Sequence, residues 1–508
     1  MPTLPIDLRE RIRIGLLAIA LGSILVLCTL AMYGTLHIFT LTVHSPLPLE
    51  QAVGACFVLL TLAPPPGPPE KPSQTAWTTP MLRVAIPAIA LLVILSYSRN
   101  LSDPFLSDDY ILVSRATLKP SAIIWPFTHP GGDGSYRPIG YLYFALVGAA
   151  ARANPWAWHA CSLAIHLANC LMLYWLSREI WDDTRAGVSI MLVFGLWAAH
   201  PEVVVWTAGT FDLLSCFFFL AAAVCIFRPG SGRIAKYHTA LVPILTALAI
   251  WTKESAYPLA IVASVLAWAV DSMKVPILRR RLSLAFLTSG ALLLFRLALF
   301  HGPGGYLDPS TGRPAILSLS PLESLKALFW RLSALLLFPI DWDWTRGVHL
   351  SAAVGVFASV CVYLAWRNSP SNSRVPTSLL ASTLVLLMPA LHLALVGASL
   401  AGARVLYMPS VTFAALVGSQ LAQYRRRTAA IAVYGTVTVG MWLGLSHNLG
   451  AWHAVADAAD RFCTLAASST DKREDLGRSA PTTVHGVFFF ANGLPECVDL
   501  KRRDVVQR

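Results

Sequence analysis

Apolar residues in this chain come in long unbroken runs, separated by short polar connectors, and not as one stripe repeating along amphipathic helices. A hydrocarbon core about 30 Å thick needs about 20 apolar residues in an α-helix. By that criterion the runs near 14–36, 49–64, 82–98, 157–177, 185–199, 207–227, 238–251, 256–271, 283–300, 349–366, 377–397, 405–422 and 429–447 each predict a spanning helix. The expected fold class is therefore an all-α polytopic membrane protein. A further apolar segment, 324–339, is settled by the basic residues. With the N-terminus inside beside Arg9, Arg11 and Arg13, alternation places Arg178/Arg185, Arg228/Arg233/Lys236, Arg279–Arg281, Arg367/Arg374 and Arg425–Arg427 inside as well. Counting 324–339 as a span would move the Arg425–Arg427 run outside, so this segment reads as a helix lying at, or dipping into, the outer surface. The C-terminus then lies outside.

Composition agrees with this topology. Of 508 residues, 56% are hydrophobic and 13% charged, against about 25% charged in soluble domains. The formal net charge of +12 comes from runs between apolar segments and not from one patch, so it reports topology and excludes a nucleic-acid partner. The first run is too long for the core of a signal peptide and reads as a retained anchor.

The chain divides into an N-terminal pair of helices (1–64), a Pro-rich cytoplasmic linker (65–80), a membrane domain (81–448) and an extracytoplasmic tail (449–508). Two long outer loops, 99–156 and 301–348, interrupt the membrane domain. In the first loop, Ile139, Leu142, Tyr143, Leu146 and Val147 recur at helical spacing and predict an interfacial helix. Seven cysteines fall in apolar runs as small hydrophobes, whereas Cys463 and Cys497 stand alone on the oxidising side and are a disulfide candidate. No internal repeat of the transporter kind is present.

Candidate chemistry collects at the outer ends of the spans. Asp108-Asp109 open the first outer loop, where paired carboxylates can serve as a general base or ligate a metal, or simply form a solvated turn. After them come Tyr136-Arg137-Pro138 and Trp158-His159 with His166 and Asn169. His200-Pro201-Glu202, Gly209-Thr210-Phe211-Asp212-Leu213-Leu214, Lys253-Glu254 and Arg404-Val405-Leu406-Tyr407-Met408-Pro409-Ser410 follow. Asp212 lies about two turns inside its span, where a charge usually faces a cavity or a partner. His159 and His166 share a helix face and read as packing or hydrogen-bonding groups.

In order and spacing this series, from about Ala85 to Asn448, resembles the GT-C glycosyltransferases. It is closest to the transmembrane O-mannosyltransferases that carry tetratricopeptide repeats, and to their bacterial relatives. That branch has Asp-Asp in the first outer loop, Tyr-Arg-Pro, His-Pro followed by Gly-Arg-Ala-Asp-Leu-Leu, Lys-Glu, and Glu-Arg-x-Leu-Tyr-x-Pro-Ser. Thr210 and Phe211 stand where the branch has Arg-Ala, Ala403 where it has Glu, and a tail of about sixty residues where it has its repeats.

The resemblance implies a GT-C-like bundle of about 11 transmembrane helices, preceded here by 2 extra ones. It further implies a polyprenyl-phosphate-linked, mannose-like sugar donor and a protein, glycan or lipid acceptor. A first-loop carboxylate would act as base, with Asp109 preferred to Asp108 because it lies further along the loop. Arg404, then Arg137 and Lys253, would hold the donor phosphate, and His200 would bind phosphate or acceptor or simply end its helix. Asp212, Glu202, Tyr136 and Tyr407 are possible substrate-lining residues, joined by Asp343 and Trp344 from a family-like pattern after the surface segment. No cofactor is expected. Asp108, Asp109 and Glu202 leave a divalent ion open, although the branch argues against one. The missing repeats suggest a bacterial inner membrane with the site on its outer face. The rival reading is a polytopic transporter or lipid flippase, which should gather its polar groups at the midplane.

Overall fold

The computed structural model describes residues 6–38, 41–63, 79–118, 125–131, 134–305, 320–326, 332–367, 374–390, 399–423, 427–468 and 480–506. The proline-rich linker (apart from 79 and 80), Arg425 and Arg426, and the distal part of the 377–397 run lie outside these residues. Helix dominates, and strands among the described residues occur in two two-stranded ladders.

The helices, in chain order, are α1 (Ile6–Tyr33), α2 (Leu47–Leu62), α3 (Thr79–Tyr97), α4 (Asp108–Leu118), α5 (Trp125–Thr128), α6 (Pro138–Ala151) and α7 (Pro155–Trp181). Next come α8 (Thr184–Gly195), α9 (Pro201–Val204), α10 (Thr210–Phe227), α11 (Gly232–Thr252), α12 (Leu259–Ala269) and α13 (Pro276–Phe300). The last are α14 (Pro321–Lys326), α15 (Leu332–Leu337), α16 (Val348–Arg367), α17 (Arg374–Leu387), α18 (Tyr407–Leu421), α19 (Arg427–Ser468) and α20 (Leu494–Val506). The ladders are β1 (Leu36–Ile38) with β2 (Leu41–Val43), and β3 (Thr483–Val484) with β4 (Val487–Phe488).

Local chemistry sets the ends. Proline stands in the first turn of α6, α7, α9 and α13, where a missing N–H costs nothing. Asn154 and Asp183 cap α7 and α8 by accepting backbone N–H bonds from Trp156 and Arg185.

Each of the thirteen predicted runs overlaps a helix, and among the described residues seven helices are long and apolar enough to cross a bilayer. The chain is an integral membrane protein. Other predicted spans are shorter: α8 has 12 residues, about 18 Å of helix, because the chain turns at Ala198–His200 and Pro201 starts a new short helix.

The packing bears on four expectations. α1 packs along α16, and α2 against α15 and α16. Trp342 Nε1 donates to Glu50 Oε1 at 2.6 Å, tying α2 to the second outer loop. The segment 324–339 is not all at the surface: among its described residues Leu335–Phe338, in and just after α15, are buried, and so are Ile340 and Trp342 beyond it. The boundary at 448 falls inside α19, a single helix of 42 residues that carries the membrane domain straight into the tail. Helix α6 forms, but its buried face is Gly140, Phe144, Ala145 and Gly148, with Leu146 exposed. The two glycines set that face, letting Phe211 and Ala116 approach where a side chain would collide.

Some basic residues counted as loop charge are buried helix caps. Arg13 donates to the carbonyls of Leu60 and Ala63 at the end of α2 and to those of Ala365 and Trp366 at the end of α16. Arg281 does the same for Ile226 and Arg228 at the end of α10, and also donates to Ala235 O and Thr239 Oγ1 in α11. Carbonyls at a helix C-terminus lack intrahelical partners and favour a cation. Arg13→Ala is expected to destabilise the detergent-solubilised protein by about 2–3 kcal/mol, read as a lower unfolding midpoint. Arg13→Lys should recover part of the loss.

Candidate functional site

The first outer loop turns into α4 through Ser107, a non-glycine residue at φ 47°, so the two carboxylates leave the turn in different directions. Asp109 points inward and is 1% exposed. Its Oδ2 accepts the Leu106 N–H at 3.2 Å and its Oδ1 the Ala208 N–H at 2.7 Å. Burial pushes its carboxyl up to about 8 despite those amide bonds. Asp108 is half-buried and accepts from Asn492 Nδ2 at 2.8 Å. Asp109 ties α4 to the 207–209 turn, whereas the Asp108 side chain beside it stays partly exposed.

Beside that turn lies a cluster of three ion pairs. Arg137, at the start of α6, grips Glu254 with both arms of its fork, Nε to Oε2 at 2.9 Å and Nη2 to Oε1 at 2.5 Å. Lys253, just past α11, meets Asp212 in the first turn of α10 at 2.5 Å. Arg404, before α18, meets Glu202 in α9 at 2.8 Å. The pairs are neighbours, because Arg137 and Arg404 both repel the Lys253 charge and Asp212 repels that of Glu202. Desolvation raises the Glu202 carboxyl, and Arg404 opposes the rise.

Aromatic faces hold two of the cations: Arg404 lies 4.9 Å from the Trp206 ring centroid and 5.3 Å from that of Phe488, and Arg137 lies 5.7 Å from that of Phe211. Trp206 Nε1 donates to Leu106 O, so one side chain joins the Asp109 turn to Arg404. The two departures from the resembled motif find partners here. Phe211 packs on Gly140 and Tyr141, and Thr210 shares a hydrogen bond with Ser162.

Five sequence-predicted residues, Arg137, Glu202, Asp212, Lys253 and Arg404, are thus brought together. Glu254 was visible only as the second half of Lys253-Glu254; the signal for its role is the planar carboxylate that Arg137 requires.

Two predicted residues do not belong at the surface of the site. His200 is fully buried, its Nε2 bonded to Ser410 Oγ at 3.0 Å and its ring against Phe194, Trp197, His166 and Tyr407. Burial holds its imidazole well below the ordinary histidine range. Tyr407 is also buried, its hydroxyl bonded to His166 Nδ1 at 2.8 Å and Asn169 Nδ2 at 3.1 Å.

Tyr136 is half-buried and donates to Phe127 O at 3.0 Å. Asp343 is exposed and Trp344 half-buried, both against His485: its Nδ1 bonds Asp343 O at 2.9 Å, and its ring meets Trp344 edge-on. Asp341, in the same Asp341-Trp342-Asp343-Trp344 run but not singled out from sequence, is buried and lines the same small cavity as Glu202 and Ala403. Cys463 and Cys497 are joined in a disulfide. Among the described residues no group of three His, Cys, Asp or Glu side chains could hold a metal ion.

No family model matches the chain. It is 26% identical over 262 residues to protein O-mannosyl-transferase TMTC2 of Homo sapiens, a match covering 47% of this chain and 30% of that protein. It is also 29% identical over 141 residues to protein O-mannosyl-transferase TMTC1 of Homo sapiens, covering 25% of this chain and 16% of the relative. The chain thus spans under a third of the length of the curated relatives it matches. The crystal structure of the Archaeoglobus fulgidus oligosaccharyltransferase in the apo form aligns with 81% of this chain and 61% of its own at 12% identity. Its TM-score of 0.38 is too low to carry an argument. The sequence similarity agrees with the resemblance drawn from the motifs: part of this chain is similar to part of the protein O-mannosyl-transferases.

Proposed function

We propose that this protein is a membrane glycosyltransferase that moves a sugar, mannose-like by its relatives, from a polyprenyl-phosphate donor to an acceptor hydroxyl at the extracytoplasmic face of the membrane. The observation that carries the reading is the cluster of Arg137, Lys253 and Arg404, each aligned by a carboxylate, next to the turn that presents Asp108. The distribution of basic runs supports a cytoplasmic N-terminus and an outward-facing site.

In the proposed step Asp108 takes the proton from the acceptor hydroxyl as its oxygen bonds to the anomeric carbon. The bond from that carbon to the donor phosphate oxygen breaks, and polyprenyl phosphate leaves with the electron pair. Negative charge grows on the leaving phosphate, and cations already held in place stabilise it without reorganising. Arg404 is the first candidate for that contact, because Trp206 and Phe488 fix the plane of its fork.

The test is transfer from radiolabelled polyprenyl-phosphate sugars in membranes holding equal amounts of wild type and Arg404→Ala. Loss of the phosphate contact should raise the donor KM at least about tenfold, since charge-assisted contacts are worth about 1.5–3 kcal/mol. Wild-type kinetics in the variant would remove Arg404 from the donor site. Net movement of unreacted lipid across the bilayer, with no transfer, would favour the flippase.

A further inference from the structure

Past α19 the chain doubles back over the site. β3 and β4 pair antiparallel, with Thr483 opposite Phe488 and Val484 opposite Val487, around a tip at His485 and Gly486. α20 follows and is fastened to α19 by the Cys463–Cys497 disulfide and by a Lys501–Asp460 ion pair at 2.6 Å.

Residues of this hairpin and its exit reach the two groups on which the proposed chemistry depends. Phe488 stacks on Trp206 with ring centroids 5.2 Å apart, and the two rings together flank one side of the Arg404 guanidinium. Asn492 Nδ2 donates to Asp108 Oδ1, and the Asn492 backbone N–H donates to Ser107 Oγ at 3.3 Å. Phe490 stacks on Tyr110, one residue beyond Asp109. Gly493 passes so close that a Cβ there would lie 2.2 Å from Ser107 O. Its own φ of +84° adds a second reason for glycine at that position. Ser107 is thus clamped in its left-handed backbone state by the C-terminal segment, and that state directs Asp108 outward.

We propose that Asn492 and Phe488 are positioning residues of the transfer site. Asn492 orients the Asp108 carboxylate, Phe488 fixes the Arg404 guanidinium, and the disulfide holds the segment that carries both. The inference rests on the transferase reading and extends it to the C-terminal segment. If the hairpin only packed against the outer loops, substitutions at the two positions would act alike. If it positions two different groups, they act on different kinetic constants.

The experiment uses the full chain in liposomes, with undecaprenyl-phosphate mannose as donor and a Ser/Thr peptide as acceptor. Binding of undecaprenyl phosphate is measured in parallel. Asn492→Ala is expected to lower kcat about fivefold, the value of one ordinary hydrogen bond, with the donor KM unchanged, and Asn492→Gln should recover at least half. Phe488→Ala, with Phe488→Leu as the variant that better preserves packing, is expected to raise the donor KM and weaken undecaprenyl phosphate binding about fivefold, with little change in kcat. Cys497→Ser should do both.

Kinetics that move together in both variants, or in neither, overturn the proposal; if Asp108→Asn is inactive in the same preparation, the transferase reading survives. Transfer by Asp108→Asn at the wild-type rate removes Asp108 as the base and this inference with it; a wild type that neither transfers nor binds undecaprenyl phosphate removes the transferase reading itself.

Discussion

Asp108→Asn is expected to lower sugar transfer by about 10²–10⁴, the usual contribution of a positioned general base, while leaving the protein folded. Asp109→Asn should do the reverse. The Asp108 side chain is half-buried and accepts one bond from Asn492, so the amide replaces it with little structural cost. Asp109 accepts from two backbone N–H groups in a buried setting. An amide nitrogen there faces one of those donors, at about 1–3 kcal/mol, so the first readout to move is the thermal midpoint. Inactivity of Asp109→Asn at an unchanged midpoint, with Asp108→Asn active, would exchange the two roles.

The pH dependence of stability gives a second check on Asp109. Its folded carboxyl ionises near 8, against an unfolded value near 4. The stability that this difference contributes is full below about pH 4 and is lost as the pH rises through about 8. The wild-type midpoint should therefore fall over that interval more steeply than that of Asp109→Asn.

Lys253→Ala is expected to cost about 3–5 kcal/mol of stability, the penalty for leaving one charge of a buried pair uncompensated. Asp212 is 7% exposed on its side chain and Lys253 14%, so little water is available to replace the lost partner. The double variant Lys253→Met with Asp212→Leu should fold better than Lys253→Ala and still fail to transfer, because it restores packing without the cation. Equal midpoints for wild type and Lys253→Ala in detergent would show that the pair is solvated and contributes little to the fold.

Much of the site was legible in the sequence because its motifs stand at the ends of apolar runs, and the end of a run is a local property. Arg137, Glu202, Asp212, Lys253 and Arg404 could be picked out this way without knowing what each one meets. His200 and Tyr407 show the limit of the method. Both sit in motifs of the right kind at span ends, yet His200 bonds Ser410 across 210 residues of sequence and Tyr407 bonds His166 across 241. Such partners exist only after α7, α8 and α18 have packed.

The basic runs mislead in a milder way. A count of arginines sets an expected orientation, but it does not separate Arg279 and Arg280, which are exposed, from Arg281, which is buried under four hydrogen bonds.

The sequence by itself determined that this is a helical membrane protein, where its apolar helices lie, and that its ionisable motifs gather at their ends. Hydropathy and helix length are summed along the chain and need no knowledge of distant residues. The tertiary structure decided which carboxylate meets which cation, with partners 41, 117 and 202 residues apart. It also decided which of two adjacent aspartates faces outward, that the N-terminal pair belongs to the bundle, and that a C-terminal hairpin closes over the site. Those outcomes depend on one set of helix contacts chosen from many that apolar surfaces of similar composition would allow, and only the packed chain makes that choice.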